Sequence, residues 1–382
     1  MKKLIRITTI PLSLEKLLEN QLRFMNAYYD VIAVSAEGER LKAFGKEQGV
    51  RTHEIGLTRQ ITPLQDLKAL WQLFWLLKKE QPFIVHSHTP KAGTIGMLAA
   101  KLAGVPHRLH TVAGLPLLET TGIKRKVLDF VEKITYACAT KVYPNSNGLK
   151  SIILQHNFCS SEKLKVIGNG SSNGINADFF SPQSVSETEK VRLKKQLGIA
   201  DSDFVFVFVG RLVSDKGINE LVAAFVRLSA ENKNCKLLLV GPPEKELDPL
   251  LPETEKTILT TESILSVGYQ NDVRPYFALS DCLVFPSYRE GFPNVVMQAG
   301  AMGLPSIVSD INGCNEIVVS EKNGIIIQPK STEALYNALK RVLEDMDLYS
   351  RLKTDAREMI VSRYQQQLVW EAILNEYRSC EL

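Results

Sequence analysis

The chain has 382 residues, 45% hydrophobic and 23% charged, a composition that suits two or three folded domains. Six scattered cysteines (Cys138, Cys159, Cys235, Cys282, Cys314, Cys380) form no C-x-x-C, which argues against a disulfide framework or a zinc finger and for reduced thiols. The net charge of +4 hides an asymmetry: residues 1–175 carry 24 Lys and Arg against 13 acids, a net of +11, and the remainder is −7. Either the two domains simply differ, or the first half meets something anionic.

The N-terminus Met1-Lys2-Lys3 leads into Leu4–Ile7, an apolar run interrupted by Arg6 and followed by no small-residue cleavage site. It reads as a first strand rather than a signal peptide. Further strands are expected at Val31–Val34, Phe83–Val85, Arg108–Val112, Lys141–Tyr143 and Lys165–Ile167. Between the second and third lies a helical pattern, Leu64–Leu77, whose Trp71, Phe74 and Trp75 read as core or interface side chains. Gly168 to Gln183 is rich in Gly, Asn, Ser and Pro and marks a domain boundary.

Alternation then restarts with Phe204–Val209, too apolar to be exposed on either face, so a parallel sheet covered on both sides is expected. Strands follow at Lys236–Val240, Ile264–Val267, Cys282–Phe285, Ser306–Val308 and Gly324–Ile327. The fold class is α/β, two doubly wound Rossmann-like domains, and their ligands belong beyond the carboxyl ends of the strands. No run approaches the roughly 20 apolar residues that span a bilayer.

Some patterns fail on context. Gly168-Asn169-Gly170-Ser171-Ser172-Asn173-Gly174 imitates a dinucleotide fingerprint, but no amphipathic helix follows. The same stretch matches G-x-S-x-G around Ser172, yet no histidine follows His156 to serve a hydrolase. His86 and His88 share a strand face, but no third ligand lies near them in sequence, so a polar strand end is the better reading than a metal site.

Two segments remain. Gly210-Arg211-Leu212-Val213-Ser214-Asp215-Lys216-Gly217 follows the buried strand and places two cations in a glycine-flanked loop before a helix, a setting that suits a diphosphate. Pro286-Ser287-Tyr288-Arg289-Glu290-Gly291-Phe292-Pro293-Asn294-Val295-Val296-Met297-Gln298 again follows a buried strand and opens a helix near Pro293. A carboxylate beside helix N–H donors suits a sugar bearing a phosphate better than a bare phosphate, which Glu290 would repel.

Together these segments, with Ser309-Asp310, Gly313, Glu316-Ile317-Val318 and Asn323-Gly324, resemble the signature of the family-4 retaining glycosyltransferases, in the branch that builds capsule, O-antigen or lipid-linked oligosaccharides. The resemblance implies the GT-B fold, two Rossmann-like domains facing an interdomain cleft. Residues 1–172 would bind acceptor, 173–360 the nucleotide sugar, and 361–382 would form a helix returning toward the first domain. It implies that Arg211 and Lys216 hold the diphosphate and, with Glu290 on the sugar hydroxyls, carry catalysis. Gly210, Gly291, Phe292, Pro293, Asn294 and Val295 would line the donor site, with Tyr269 near the base and Gln298 on the ribose. Gln298 stands where the family has a second glutamate, which removes a charge but keeps an acceptor oxygen. Ala113, before Gly114, stands where many relatives carry a histidine; His86, His88 and His110 are the alternatives.

The implied reaction is transfer of a hexose or N-acetylhexosamine from a nucleotide sugar, UDP-linked by expectation, to a lipid-linked or polysaccharide acceptor. No cofactor and no metal is expected, since no convincing set of metal ligands follows a strand. A 2-epimerase or phosphorylase on the same fold, or a non-catalytic sugar-nucleotide-binding subunit, are the alternatives. The basic first half, with Leu115–Leu118 followed by Lys124-Arg125-Lys126, suggests a segment meeting an anionic membrane surface. The expected location is the cytoplasm, peripheral on the inner face of the cell membrane; no nucleic-acid partner is expected.

Overall fold

The structure, a computed structural model, describes every residue except Arg59, Ile61, Pro116, Leu118, Glu119, Lys245, Leu247 and Leu382. The chain divides into two units, one formed by Met1–Asn173 with Gln366–Leu382, the other by Gly174–Gln365.

The first unit runs β1 (Lys3–Ile7), α1 (Pro11–Leu17), α2 (Gln21–Asn26), β2 (Asp30–Ser35), α3 (Gly38–Gln48), β3 (Arg51–Glu54), α4 (Pro63–Glu80), β4 (Ile84–Ser87), α5 (Pro90–Ala103), β5 (His107–Val112), α6 (Gly122–Cys138), β6 (Lys141–Pro144) and α7 (Asn147–Gln155). The second runs α8 (Glu187–Leu197), β7 (Phe204–Val209), α9 (Ile218–Glu231), β8 (Cys235–Val240), α10 (Pro252–Thr260), β9 (Ile264–Ser266), α11 (Arg274–Ala278), β10 (Cys282–Phe285), α12 (Asn294–Ala301), β11 (Ser306–Ser309), α13 (Cys314–Ile317), β12 (Gly324–Ile327), α14 (Thr332–Glu344) and α15 (Met346–Tyr364); α16 (Gln366–Ser379) belongs to the first unit.

Each unit carries one six-stranded parallel sheet, in the orders β3-β2-β1-β4-β5-β6 and β12-β11-β10-β7-β8-β9. Burial explains the parallel pairing: Val205, Phe206, Val207 and Phe208 of β7 are all fully buried, so helices must cover both faces. In the first sheet the alternation of side chains sorts two cores. Ile5, Ile7, Ile32, Val34 and Val85 pack with α4, α5 and α6, whereas Leu4, Val31, Ala33, Ile84 and Leu109 pack with α1, α2, α3 and α16.

Four expectations need correction. β3 is a strand although Arg51-Thr52-His53-Glu54 is polar; it is an edge strand with its side chains largely exposed. Lys165–Ile167 is not a strand: only a bridge between Val142 and Leu164 forms there. The terminal helix does not begin at 361, because α15 continues unbroken to Tyr364 and the chain turns at Gln365, where ψ is 137°. Leu115 and Leu117 are buried in the core beside α4 and α5 and have no apolar surface to offer a bilayer; Pro116 and Leu118 lie outside the described residues.

Candidate functional site

Sheet order decides which strand-end loops meet. From β7 the chain steps outward through β8 and β9, then crosses to β10 on the other flank of β7. That reversal opens a crevice beyond the carboxyl ends of β7 and β10, the usual ligand position in such sheets. Arg211 and Lys216 leave β7 and Glu290 leaves β10, so residues distant in sequence converge there.

Lys216 Nζ donates to Glu290 Oε1, and the two side chains are only 17% and 18% exposed. Ser287 Oγ also donates to Glu290 Oε1, at 3.1 Å, and the Phe285 ring lies 5.8 Å from the ammonium. Asn312 Nδ2 donates to the carbonyls of Glu290 and, at 3.2 Å, Gly291. Two glycines make this packing possible. Gly217 has φ +71°, and a Cβ there would fall 2.2 Å from the Pro286 carbonyl oxygen. Gly313 has φ +78°, and its Cβ would fall 2.6 Å from that of Gly291. Three loops thus interlock around one carboxylate.

Arg211, about half exposed, is paired with Glu244 in the loop after β8. Arg289 pairs with Asp215 at 2.7 Å, and the Asp215 amide donates to Asp248 Oδ2. The crevice therefore holds Arg211, Lys216 and Arg289 with their charges already balanced by Glu244, Glu290 and Asp215. A polyanionic ligand must exchange with these carboxylates.

α12 adds neutral donors. Pro293 is extended at its cap, and the N–H groups of Asn294 and Val295 in its first turn have no intrahelical acceptor, which favours an anion there. Asn294 is exposed and Gln298, one turn further, is half-buried, so both lie toward the open side. Phe292 contributes only backbone, since its ring is buried edge-on against Tyr364, 5.4 Å away. Gly210, Gly241 and Gly268 bring the ends of β7, β8 and β9 side by side: the Gly210 amide donates to the Val240 carbonyl and the Gly241 amide to the Gly268 carbonyl. Tyr269 follows, 67% exposed.

Sequence reasoning missed Glu244, which binds Arg211, and Asn312, which holds two carbonyls of the Glu290 loop. Pro242-Pro243-Glu244 is itself a strand-end loop, which was the available signal. The residues of the first unit fall differently from expectation. His86, His88 and His110 are buried, at 1%, 3% and 2% exposed, rather than lining an open acceptor surface. His86 bonds Tyr377 Oη at 2.6 Å and Thr111 Oγ1 at 2.8 Å, and His88 Nε2 accepts from Arg6 Nε at 2.9 Å. Burial, with Arg6 alongside, holds both rings neutral, far below the usual histidine range. Burial also pushes His110, bonded to Ser87 Oγ at 2.8 Å, down to about 4. Arg6 is itself fully buried, held by His88, Gln21 and Tyr377 of α16. Ala113 and Gly114 are half-buried after β5. Lys124 and Lys126 are exposed, but Arg125 is tied to Asp129 at 2.7 Å and to the Leu117 carbonyl.

Comparison with known proteins agrees with the fold. Residues 189–359 match the model "Glycosyl transferases group 1" and residues 22–170 the "Glycosyl transferase 4-like domain". A capsular polysaccharide biosynthesis glycosyltransferase, CapM of Staphylococcus aureus, is 32% identical over 380 residues, covering 99% of this chain and 97% of that one. The Escherichia coli UDP-Gal:alpha-D-GlcNAc-diphosphoundecaprenol alpha-1,3-galactosyltransferase is 33% identical over 347 residues, 89% of this chain and 86% of its own length. Among solved structures, Anabaena HepE in complex with UDP and glucose superposes with a TM-score of 0.81 at 18% identity, covering 99% of this chain and all of that one. The chain belongs to the group 1 glycosyl transferases with a family-4-like N-terminal domain, has their GT-B fold, and is a glycosyltransferase.

Proposed function

We propose that this glycosyltransferase moves a hexose or N-acetylhexosamine from a UDP-sugar, with retention, onto a lipid-diphosphate-linked acceptor in surface-polysaccharide assembly, working as a peripheral protein at the inner face of the cell membrane. The observation that carries the reading is the Lys216–Glu290 pair beside the first turn of α12, at the reversal point of the second sheet. The donor half of the reading is supported by the E. coli relative, whose name specifies UDP-Gal, and the acceptor half by the diphosphoundecaprenol in the same name. No described helix is long and apolar enough to cross a membrane.

In this mechanism Lys216, Arg211 and the amides of Asn294 and Val295 hold the diphosphate. As the bond from the sugar's anomeric carbon to the diphosphate oxygen breaks, negative charge grows on that oxygen, and fixed donors stabilise it most where it grows most. Glu290, oriented by Lys216 and Ser287, accepts hydrogen bonds from sugar hydroxyls. The acceptor hydroxyl attacks from the face the diphosphate leaves, and its proton passes to the departing phosphate. The roles of Tyr269, beside the base, and Gln298, on the ribose, belong to the same proposal.

Protein charges alone serve the leaving group here, so transfer from labelled UDP-sugars to a lipid-diphosphate-linked sugar is expected to persist in EDTA. Full loss on chelation, restored by magnesium or manganese, overturns the metal-free mechanism; transfer from ADP- or GDP-sugars only overturns the UDP assignment. Gln298→Glu is expected to leave activity equal or higher, because a carboxylate accepts ribose hydroxyls more strongly than an amide does. A tenfold fall in donor affinity, read by calorimetry with UDP, shows instead that the site is built around the amide.

A further inference from the structure

The helical layer of the first unit carries apolar surface that its own packing does not use. α4 is apolar around most of its circumference. Ala69, Leu73, Leu76 and Leu77 are buried against the sheet, while Leu64, Leu67, Trp71 and Trp75 on the other side are exposed, Leu64 by 86% and Trp71 by 61%. Their spacing places these four on one face. Trp71 lies edge-on to Trp75, with centroids 5.6 Å apart, and stacks on Phe74 at 5.5 Å, so the face is an aromatic ridge. α6 repeats the arrangement: Ile123, Val127 and Phe130 recur at one helical spacing, with Ile123 83% and Phe130 64% exposed. α4 and α6 flank α5 in one layer over one face of the sheet, so both stripes open to the same side.

The charges around the stripes have one sign. Three of the four carboxylates of these helices are engaged, Asp66 with Lys91 at 2.6 Å, Glu80 with Lys3 and Arg51, and Asp129 with Arg125, and burial pushes the fourth, Glu132, toward its neutral form. Lys68, Lys78 and Lys79 on α4 and Lys124, Lys126 and Lys133 on α6 are exposed, and among the described residues none of the six has a carboxylate partner. A protein interface is normally depleted in lysine. A bilayer boundary favours this mixture: tryptophans settle at headgroup depth, aliphatic side chains enter the acyl boundary, and lysine stems reach back to anionic phosphates.

We propose that the exposed faces of α4 and α6 form one docking surface for an anionic bilayer, with Trp71 and Trp75 at headgroup level. The proposal rests on the reading that the acceptor is lipid-borne and names the surface that meets the lipid. It differs from the basic-trio expectation, since Arg125 is half-buried and tied to Asp129 and the Leu117 carbonyl, and the apolar contacts come from helix faces rather than from the buried Leu115 and Leu117. Six lysines beside two apolar stripes suit reversible attachment to an anionic surface.

The test uses the full chain with vesicles of phosphatidylcholine alone or mixed with phosphatidylglycerol. Flotation is expected with the anionic vesicles and at least tenfold weaker with the neutral ones. Tryptophan emission is expected to shift to the blue and to be quenched by lipids brominated near the headgroup. The third tryptophan, Trp370, is half-buried and bonded to Asn173, and serves as the unquenched reference. Trp71→Ser with Trp75→Ser is expected to weaken flotation tenfold or more at an unchanged melting midpoint; Lys78→Gln, Lys79→Gln, Lys126→Gln and Lys133→Gln together, which spare the apolar face, are expected to remove the preference for anionic lipid. Equal flotation of parent and both variants overturns the proposal. So does a parent that ignores vesicles but sediments as a dimer that the tryptophan variant dissociates. The readout is binding alone, so absent transfer with intact vesicle binding defeats the functional reading and leaves this surface standing.

Discussion

Lys216→Ala is expected to lower turnover by a hundredfold or more, with a smaller change in donor affinity. Its ammonium and Glu290 are both largely withdrawn from water, so once the diphosphate takes the place of the carboxylate the ammonium meets the developing charge with little solvent between them. A donor of that kind contributes about 3–4 kcal/mol to the transition state. Its removal also leaves Glu290 unbalanced beside an incoming diphosphate, adding repulsion to the lost attraction. Arg211→Ala is expected to lose a hundredfold or more as well, because Glu244 is then left without its cation in the same crevice. Neither change touches the core, so melting curves should overlay the parent's. Steady-state kinetics with saturating acceptor make the measurement. Near-parental turnover in both variants removes the diphosphate assignment.

The second large effect comes from a methyl group. Gly217→Ala is expected to cost several kcal/mol of stability and most of the activity, since the new Cβ meets the Pro286 carbonyl oxygen at 2.2 Å as well as a left-handed φ. The two contributions separate by comparison with Gly198→Ala. Gly198 has φ +65° at the end of α8 and nothing within 4 Å of its Cβ position, so that change is expected to cost only about 1–2 kcal/mol. Urea denaturation measures both, and equal costs would show that backbone strain, rather than the approach of the two loops, sets the requirement for glycine at 217.

Much of the second unit was legible from sequence because its strands are buried on both faces: Phe204–Val209 declares itself by composition. The loops after β7 and β10 were legible because glycine and charge crowd where apolar runs stop. β3 escaped because an edge strand needs only one pairing partner and can be written in Arg, Thr, His and Glu. The aromatics of α4 were read as core or interface, and periodicity does not separate the two in a helix with apolar residues on both sides; the side of Ala69 and Leu73 is core, while Trp71 and Trp75 remain exposed. Arg6 argued in sequence against a continuous apolar segment, and its neutral partners lie just after β4, on α2 and on α16, outside any local pattern. The partnership of Arg211 with Glu244 was hidden for the same reason.

The return of α16 to the first unit has a consequence for synthesis. Gly174–Gln365 is continuous and is complete before residues 366–382 leave the ribosome. The first unit must wait: until Tyr377 arrives, Arg6 and His86 lack an acceptor and a partner, and one face of the first sheet lacks Val369, Ile373 and Leu374. At about 5–20 residues per second, translation of the intervening unit holds that face open for tens of seconds. The half made first is thus finished last, and the nascent first unit is where a chaperone would find exposed apolar surface.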